Sequence, residues 1–172
     1  GAVSYILGGG SGAMRKQKMY REYRLKSYLN MSHYIIIDGR QGLSHPHTWE
    51  FVVTMIVVGD EFVQFSAFES LIEQYLEKYQ DKILNTIEPF DTIVPTIENV
   101  TDHFYEELKG MLHENGGELV SMEGSETPTR SYIVSRRNEP EFIEQIRRRQ
   151  TEQISGVIRY VVGQIVDGTD EN

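Results

Sequence analysis

The sequence predicts an α+β fold, an antiparallel sheet with two helices packed on one face. Three observations predict it. Between Thr48 and Val58 apolar residues recur at every second position, the repeat of a strand whose successive side chains point to opposite faces. Two central segments, 66–84 and 95–117, carry apolar residues at helical spacing, as surface helices do. Strand-like segments flank this helical pair on both sides. The order strands, helix, helix, strands suits hairpins joined into one sheet, with the helices on one side of it.

The elements follow in order. Residues 1–14, "GAVSYILGGGSGAM", read as a leader or linker, because "GGGSG" has flexible-linker chemistry. A domain is expected over 15–138. "RKQKMYREYRLK" is basic with interleaved tyrosines and reads as a solvated first strand or short helix. "YLNMSHYIIIDG" is rich in strand formers and ends in an Asp-Gly turn signal. In the next strand Thr48, Glu50, Val52, Thr54, Ile56 and Val58 face one way. Trp49, Phe51, Val53, Met55 and Val57 face the other, and that wholly apolar side should lie under the helices. Gly59-Asp60 turns the chain, and "EFVQF" reads as another short strand.

In "SAFESLIEQYLEKYQDKIL" Ser66 and Glu69 have capping-box spacing, and Phe68, Leu71, Ile72, Tyr75, Leu76 and Tyr79 form a stripe. In the second helix Thr96 is the expected N-cap, Glu98 favours the positive end, and Gly116-Gly117 stops the run. "GELVSMEG" and "TRSYIVSR" read as a closing hairpin. From 139 to 172 an amphipathic helix and an acidic tail are expected. Ile154, Ile158, Val161 and Ile165 there fall in steps of four, three and four, a short heptad-like seam. The helix packs on the domain or pairs between subunits, with kinks expected at Gly156 and Gly163.

Composition narrows the chemistry. The 172-residue chain carries a formal net charge of −9, which argues against nucleic acid as the main partner. No apolar run is long enough to span a bilayer and no signal-peptide pattern is present, so a cytoplasmic protein without membrane contact is expected. With no cysteine, thiolate ligands, disulfides and cysteine nucleophiles are excluded; a metal must be held by His, Asp or Glu.

"LSHPHTW" places His45 and His47 two residues apart. On a strand such residues share a face and can offer two imidazoles to one ion. His33 ends "NMSH", a segment able to pair antiparallel with the strand after His47, and it is the candidate third ligand. His103 and His113 lie on the second helix and are expected to be solvated.

The succession His33, "SHPHTW", "FVQFSAFESL", "DKILN", "PTIENV" and "SETPTRSYIV" resembles the 6-pyruvoyl-tetrahydropterin synthase and 6-carboxy-tetrahydropterin synthase family. The resemblance runs from about Tyr23 to Val134. It implies the tunnelling fold, in which each subunit has a four-stranded antiparallel sheet and two helices. Subunits of that fold join edge to edge as homo-oligomers, trimers or hexamers. It implies Zn2+ held by His33, His45 and His47, and a glutamate that anchors the pterin. Glu126, followed by Thr127, is the best match for that glutamate, with Glu123 as rival. The resemblance also gives Thr96 a pocket-lining role beside its capping one.

The proton carriers depart from the family. Its cysteine before the first histidine of the pair is missing, and Gln41 stands near that place. Its Asp-His pair after the first helix is Asp81-Lys82 here. Asp81, Lys82 and Asp38 are therefore the candidate substitutes. The expected function is a zinc-dependent lyase of the 6-pyruvoyl/6-carboxy-tetrahydropterin synthase type, acting on 7,8-dihydroneopterin triphosphate or a related pterin. The alternative is a catalytically inactive regulatory paralogue that keeps the metal site and binds a pterin- or purine-like ligand.

Overall fold

The structure, a computed structural model, describes residues 21–57 and 64–169, with side chains described throughout except at 153–160 and 167–169. In chain order the elements are β1 (Glu22–His33), β2 (Ile36–Ile37), β3 (Arg40–Gln41), β4 (His45–Val57), α1 (Phe65–Glu77), a 3-10 turn (Leu84–Thr86), α2 (Ile97–Glu114), β5 (Gly117–Thr127), β6 (Arg130–Ser135) and α3 (Pro140–Thr169). The four long strands form one antiparallel sheet in the order β1-β4-β5-β6. β2 and β3 form a separate two-stranded ribbon in the connection between β1 and β4. Its tip is Asp38-Gly39, both at positive φ (51° and 73°), the conformation that an Asp-Gly hairpin turn requires.

The period-two pattern sets which face is buried. Leu25, Leu29 and Met31 of β1 and Trp49, Phe51, Val53 and Met55 of β4 join Leu119 and Met122 of β5. This face packs against Phe68, Ile72 and Leu76 of α1 and Val100, Phe104, Leu108 and Leu112 of α2. Both middle helices thus lie on the predicted face. α2 passes so close to β5 that a Cβ on Gly124 would stand 2.1 Å from the Thr101 hydroxyl oxygen; only glycine allows that approach.

The opposite face is buried too, over part of its area. Val52, Thr54 and Ile56 are all buried, although alternation sets them on the side away from the two middle helices. The cover is the start of α3: Phe142 and Ile146 pack with Ile56 and Val120 in a second apolar cluster. Beneath them lies the carboxylate of Glu118, 1% exposed. It meets the guanidinium groups of Arg136 and Arg149, and His113 Nδ1 at 2.7 Å. His113, expected to be solvated, is half exposed but tied to this buried charge. His103 is also partly covered, edge-on to Phe90.

Two other expectations need correction. The first helix ends at Glu77 rather than running to Leu84. Residues after Tyr79 instead satisfy the β1 edge: Asp81 N–H donates to Asn30 C=O at 2.6 Å and Ser32 N–H to Lys82 C=O at 2.9 Å. The Gln80 amide bonds both Asn30 N–H and Tyr28 C=O. Unpaired strand groups outcompete one more helical turn. The Ser66–Glu69 capping box does not form either, because α1 begins one residue before Ser66 with Gln64 at its cap and no side-chain cap bond. Thr96 does cap α2, accepting from Asn99 N–H. Of the strand expected at "EFVQF", Phe65 opens α1 and residues 61–63 lie outside the described residues, as does the leader at 1–14. Kinks were expected at Gly156 and Gly163; the backbone is helical from Pro140 to Thr169, through both positions.

Candidate metal centre

The register of β1 against β4 assembles the histidines. His33 stands directly opposite His45, and Met31 opposite His47. His45 and His47 share a face by alternation, and cross-strand partners point the same way. The three rings therefore converge, with centroids 5.0 Å (His33–His45), 4.9 Å (His33–His47) and 4.4 Å (His45–His47) apart. One ligand nitrogen from each lies within 4.8 Å of the others.

Hydrogen bonds fix two of the tautomers. His33 Nδ1–H donates to the Pro95 carbonyl at 2.8 Å, and His45 Nδ1–H donates to the Leu43 carbonyl at 2.9 Å. A carbonyl only accepts, so both protons sit on Nδ1 and each Nε2 keeps its lone pair for a cation. Backbone carbonyls holding the far side of ligand imidazoles are the usual outer support of a metal site. Burial lowers the His47 pKa below its ordinary value, and the neighbouring His33 and His45 lower it further; Glu126 acts in the opposite sense. At His47 this favours the neutral imidazole, the form a metal binds. The donor set fits zinc, which takes three imidazole nitrogens readily.

The surroundings hold the rings in place. Pro95 immediately precedes Thr96, so the α2 cap also sets the carbonyl that orients His33. The Asn85 amide bonds both the N–H and C=O of Tyr34, next to His33. Trp49 is fully buried, with its ring 5.0 Å from that of His33 and 6.0 Å from that of His47. Neither Pro95 nor Trp49 was singled out from sequence. Trp49 was detectable there, since it lies two residues after His47 on the same strand face; the Pro95 contact spans 62 positions and has no local signal.

The other predicted residues divide. Glu126 lies just past the last β4–β5 pair, Glu50 with Ser125, in a stretch where β5 is out of register with β6; it stands 4.0 Å from the Arg130 guanidinium, and its charge is felt at His47. Glu123 pairs with Val52 and faces away. Asp81 borders a shallow cleft with Asn30, Pro46, His47 and Thr48. Its φ is +58°, held by the edge bond to β1. Lys82 is turned elsewhere: its ammonium donates to the Lys78 carbonyl at 3.1 Å. Asp38 occupies the ribbon turn and Gln41 is exposed on β3.

Comparison with known proteins bears on the fold and the family. Residues 22–137 match the family model of 6-pyruvoyl tetrahydropterin synthase. No curated relative matches the chain in sequence. Among solved structures, 6-pyruvoyl tetrahydropterin synthase of Caenorhabditis elegans superposes with a TM-score of 0.57 at 16% identity, covering 67% of this chain and 94% of that one. The Plasmodium falciparum 6-pyruvoyl tetrahydropterin synthase gives 0.46 at 18% identity, over 66% and 96%. The C. elegans likeness supports the fold, and the family match spans well over half the sequence, from β1 to just past β6. The chain belongs to the 6-pyruvoyl tetrahydropterin synthase family.

Proposed function

We propose that His33, His45 and His47 hold a zinc ion, and that the protein is a lyase of the 6-pyruvoyl/6-carboxy-tetrahydropterin synthase type. Its substrate is 7,8-dihydroneopterin triphosphate or a related pterin. The observation that carries this reading is the convergence of three imidazoles, two with Nε2 left free by carbonyl-bound Nδ1–H groups, with Glu126 beside them. Zinc, when bound, supplies Lewis-acid polarisation of a substrate oxygen. Glu126 serves as the anchor: a carboxylate accepts two parallel hydrogen bonds from the amino and ring N–H groups of a pterin. Trp49 gives the histidines a dry, rigid floor. Asp81, which borders the cleft beside His47, is the preferred proton carrier among Asp81, Lys82 and Asp38. Assembly as a trimer or hexamer through β6 and the part of β1 that residues 80–82 leave uncovered belongs to the same reading, because paired edges are protected edges.

The positions of Lys82 and Asp38 favour a second reading, a pterin- or purine-binding regulatory paralogue without turnover. Lys82 is engaged with helix α1, and Asp38 is committed to the turn conformation of the ribbon. Incubating the zinc-loaded chain with 7,8-dihydroneopterin triphosphate separates the two. Release of triphosphate supports the lyase, with loss of activity in Glu126→Gln. Tight pterin binding that Glu126→Gln abolishes, without turnover over hours, supports the paralogue. Failure to bind any pterin overturns both.

A further inference from the structure

The ribbon of β2 and β3 is rooted on two of the three histidines. His33 ends β1 and His45 opens β4, directly opposite each other in the register, so only residues 34–44 lie between them. Every residue from 36 to 44 is exposed. Among the described residues, the backbone of 36–41 pairs within the ribbon, and no hydrogen bond or ion pair ties it to the sheet or the helices. The ribbon is held at its root instead. Gly42 N–H donates to the Ile35 carbonyl at 2.9 Å, the Asn85 amide bonds both backbone groups of Tyr34, and the His45 ring donates to the Leu43 carbonyl. The last of these bonds runs through a candidate metal ligand.

A segment with exposed backbone and few buried contacts is where a fold opens locally at least cost. The start of β4 is little firmer: His45 and Pro46 are exposed, and Trp49 is the first buried residue of that strand. An opening that begins in the ribbon can therefore run past His45 on the β4 side before it meets buried packing. A cation shared by His33 and His45 fastens the two strands at that point and closes 34–44 into a loop with fixed ends. A ring that binds a cation through Nε2 also becomes a stronger donor at Nδ1, which tightens the bond to Leu43. Resting on the zinc reading above, we propose that His33 and His45 form a metal-operated lock on the ribbon. With zinc bound, openings are confined to residues 34–44; without it they extend into β4. The lock also sets how firmly Asp38 and Gln41, which the ribbon carries, are held.

Trypsin reads the lock, because Arg40 is the only Lys or Arg between Lys26 and Lys78. A protease needs an extended segment, and its rate follows the population of the open form. Saturating zinc should slow cleavage after Arg40 by about tenfold or more, while cleavage after Arg148, 72% exposed on α3, should keep its rate. The chain has no cysteine, so the double variant His33→Cys/His45→Cys supplies the same fastening without metal; directly opposed strand residues are close enough for a disulfide. Its oxidised form should resist trypsin at Arg40, and its reduced form should be cut like the metal-free parent. Zinc that binds, by equilibrium dialysis, yet leaves the Arg40 rate unchanged or slows both sites alike overturns the lock alone, as does an oxidised variant cut like its reduced form. A parent chain that takes up no zinc overturns the metal centre and the lock with it.

Discussion

Gly124→Ala tests how α2 is seated over the sheet and, through it, how His33 is held. The added Cβ would lie 2.1 Å from Thr101 Oγ1 and 3.1 Å from both Ile97 Cδ1 and Phe51 Cε1. A carbon–oxygen contact settles near 3.3 Å, roughly the lower limit of a C–H···O contact, so the overlap with the hydroxyl exceeds about 1 Å. Thr101 and Phe51 are fully buried, and a β-branched side chain on a helix has few rotamers to escape into. Overpacking of this kind costs about 1–3 kcal/mol. Against it stands a gain of about 0.4–1 kcal/mol from a less flexible unfolded chain. The net expectation is a loss of about 1–2 kcal/mol. Thr101→Ala removes the obstructing atom, and that hydroxyl has no hydrogen-bond partner. On its own it should cost no more than about 1 kcal/mol, for one lost buried methyl group. In the double variant the glycine replacement should become nearly free, a coupling of about 1–2 kcal/mol. Urea unfolding of the four proteins measures the cycle. A Gly124→Ala protein as stable as the parent, or a double variant whose losses simply add, would refute the packing argument. Zinc affinity should follow the same pattern, because Pro95, whose carbonyl holds His33, lies at the start of α2.

Other consequences follow from buried charge. Glu118→Ala strands Arg136 and Arg149 around an empty place and should cost about 3–5 kcal/mol, seen as a drop of about 6–20 °C in Tm; a drop of a degree or two contradicts the role given to the cluster. In the metal-free protein, burial holds the pKa of both His47 and His103 below their ordinary value of 6.5. The unfolded chain then binds more protons than the folded one once the pH falls below about 6.5, so stability is full above that pH and declines as it falls toward the depressed values. Urea midpoints between pH 8 and 5 measure this, and a midpoint that rises on acidification in that window contradicts the sign. Lowering the pH should weaken zinc binding over the same range, because protons and the ion compete for the imidazoles.

The sheet and the metal cluster were legible because both rest on local periodicity. Alternation from Thr48 to Val58 identified the face that α1 and α2 cover, and the HxH spacing placed His45 and His47 together. His33 followed from hairpin pairing, and the register puts it opposite His45. What local pattern could not supply was tertiary competition. The end of α1 was set too late because the β1 edge, some 50 positions away in sequence, draws Gln80 and Asp81 into backbone pairing. Glu118 read as an ordinary strand residue, and its burial depends on α3 crossing the far face of the sheet. The same crossing explains why Val52, Thr54 and Ile56 are buried although alternation placed them on the side away from the middle helices. Glu126 was the better motif match and Glu123 its rival; strand pairing sets Glu123 opposite Val52, on the face away from the histidines, which no local pattern could show.

Zinc stoichiometry read together with the fluorescence of Trp49 bears most immediately on the account. Trp49 is the chain's single tryptophan and packs on two of the three histidine rings. Elemental analysis should find one zinc per chain, and titration of the metal-free protein should change Trp49 emission to an end point at equimolar zinc. His33→Ala should lose both the ion and the optical change while keeping the fold. A metal-free chain that ignores added zinc, or a His33→Ala variant that binds it as tightly as the parent, would contradict the three-histidine centre.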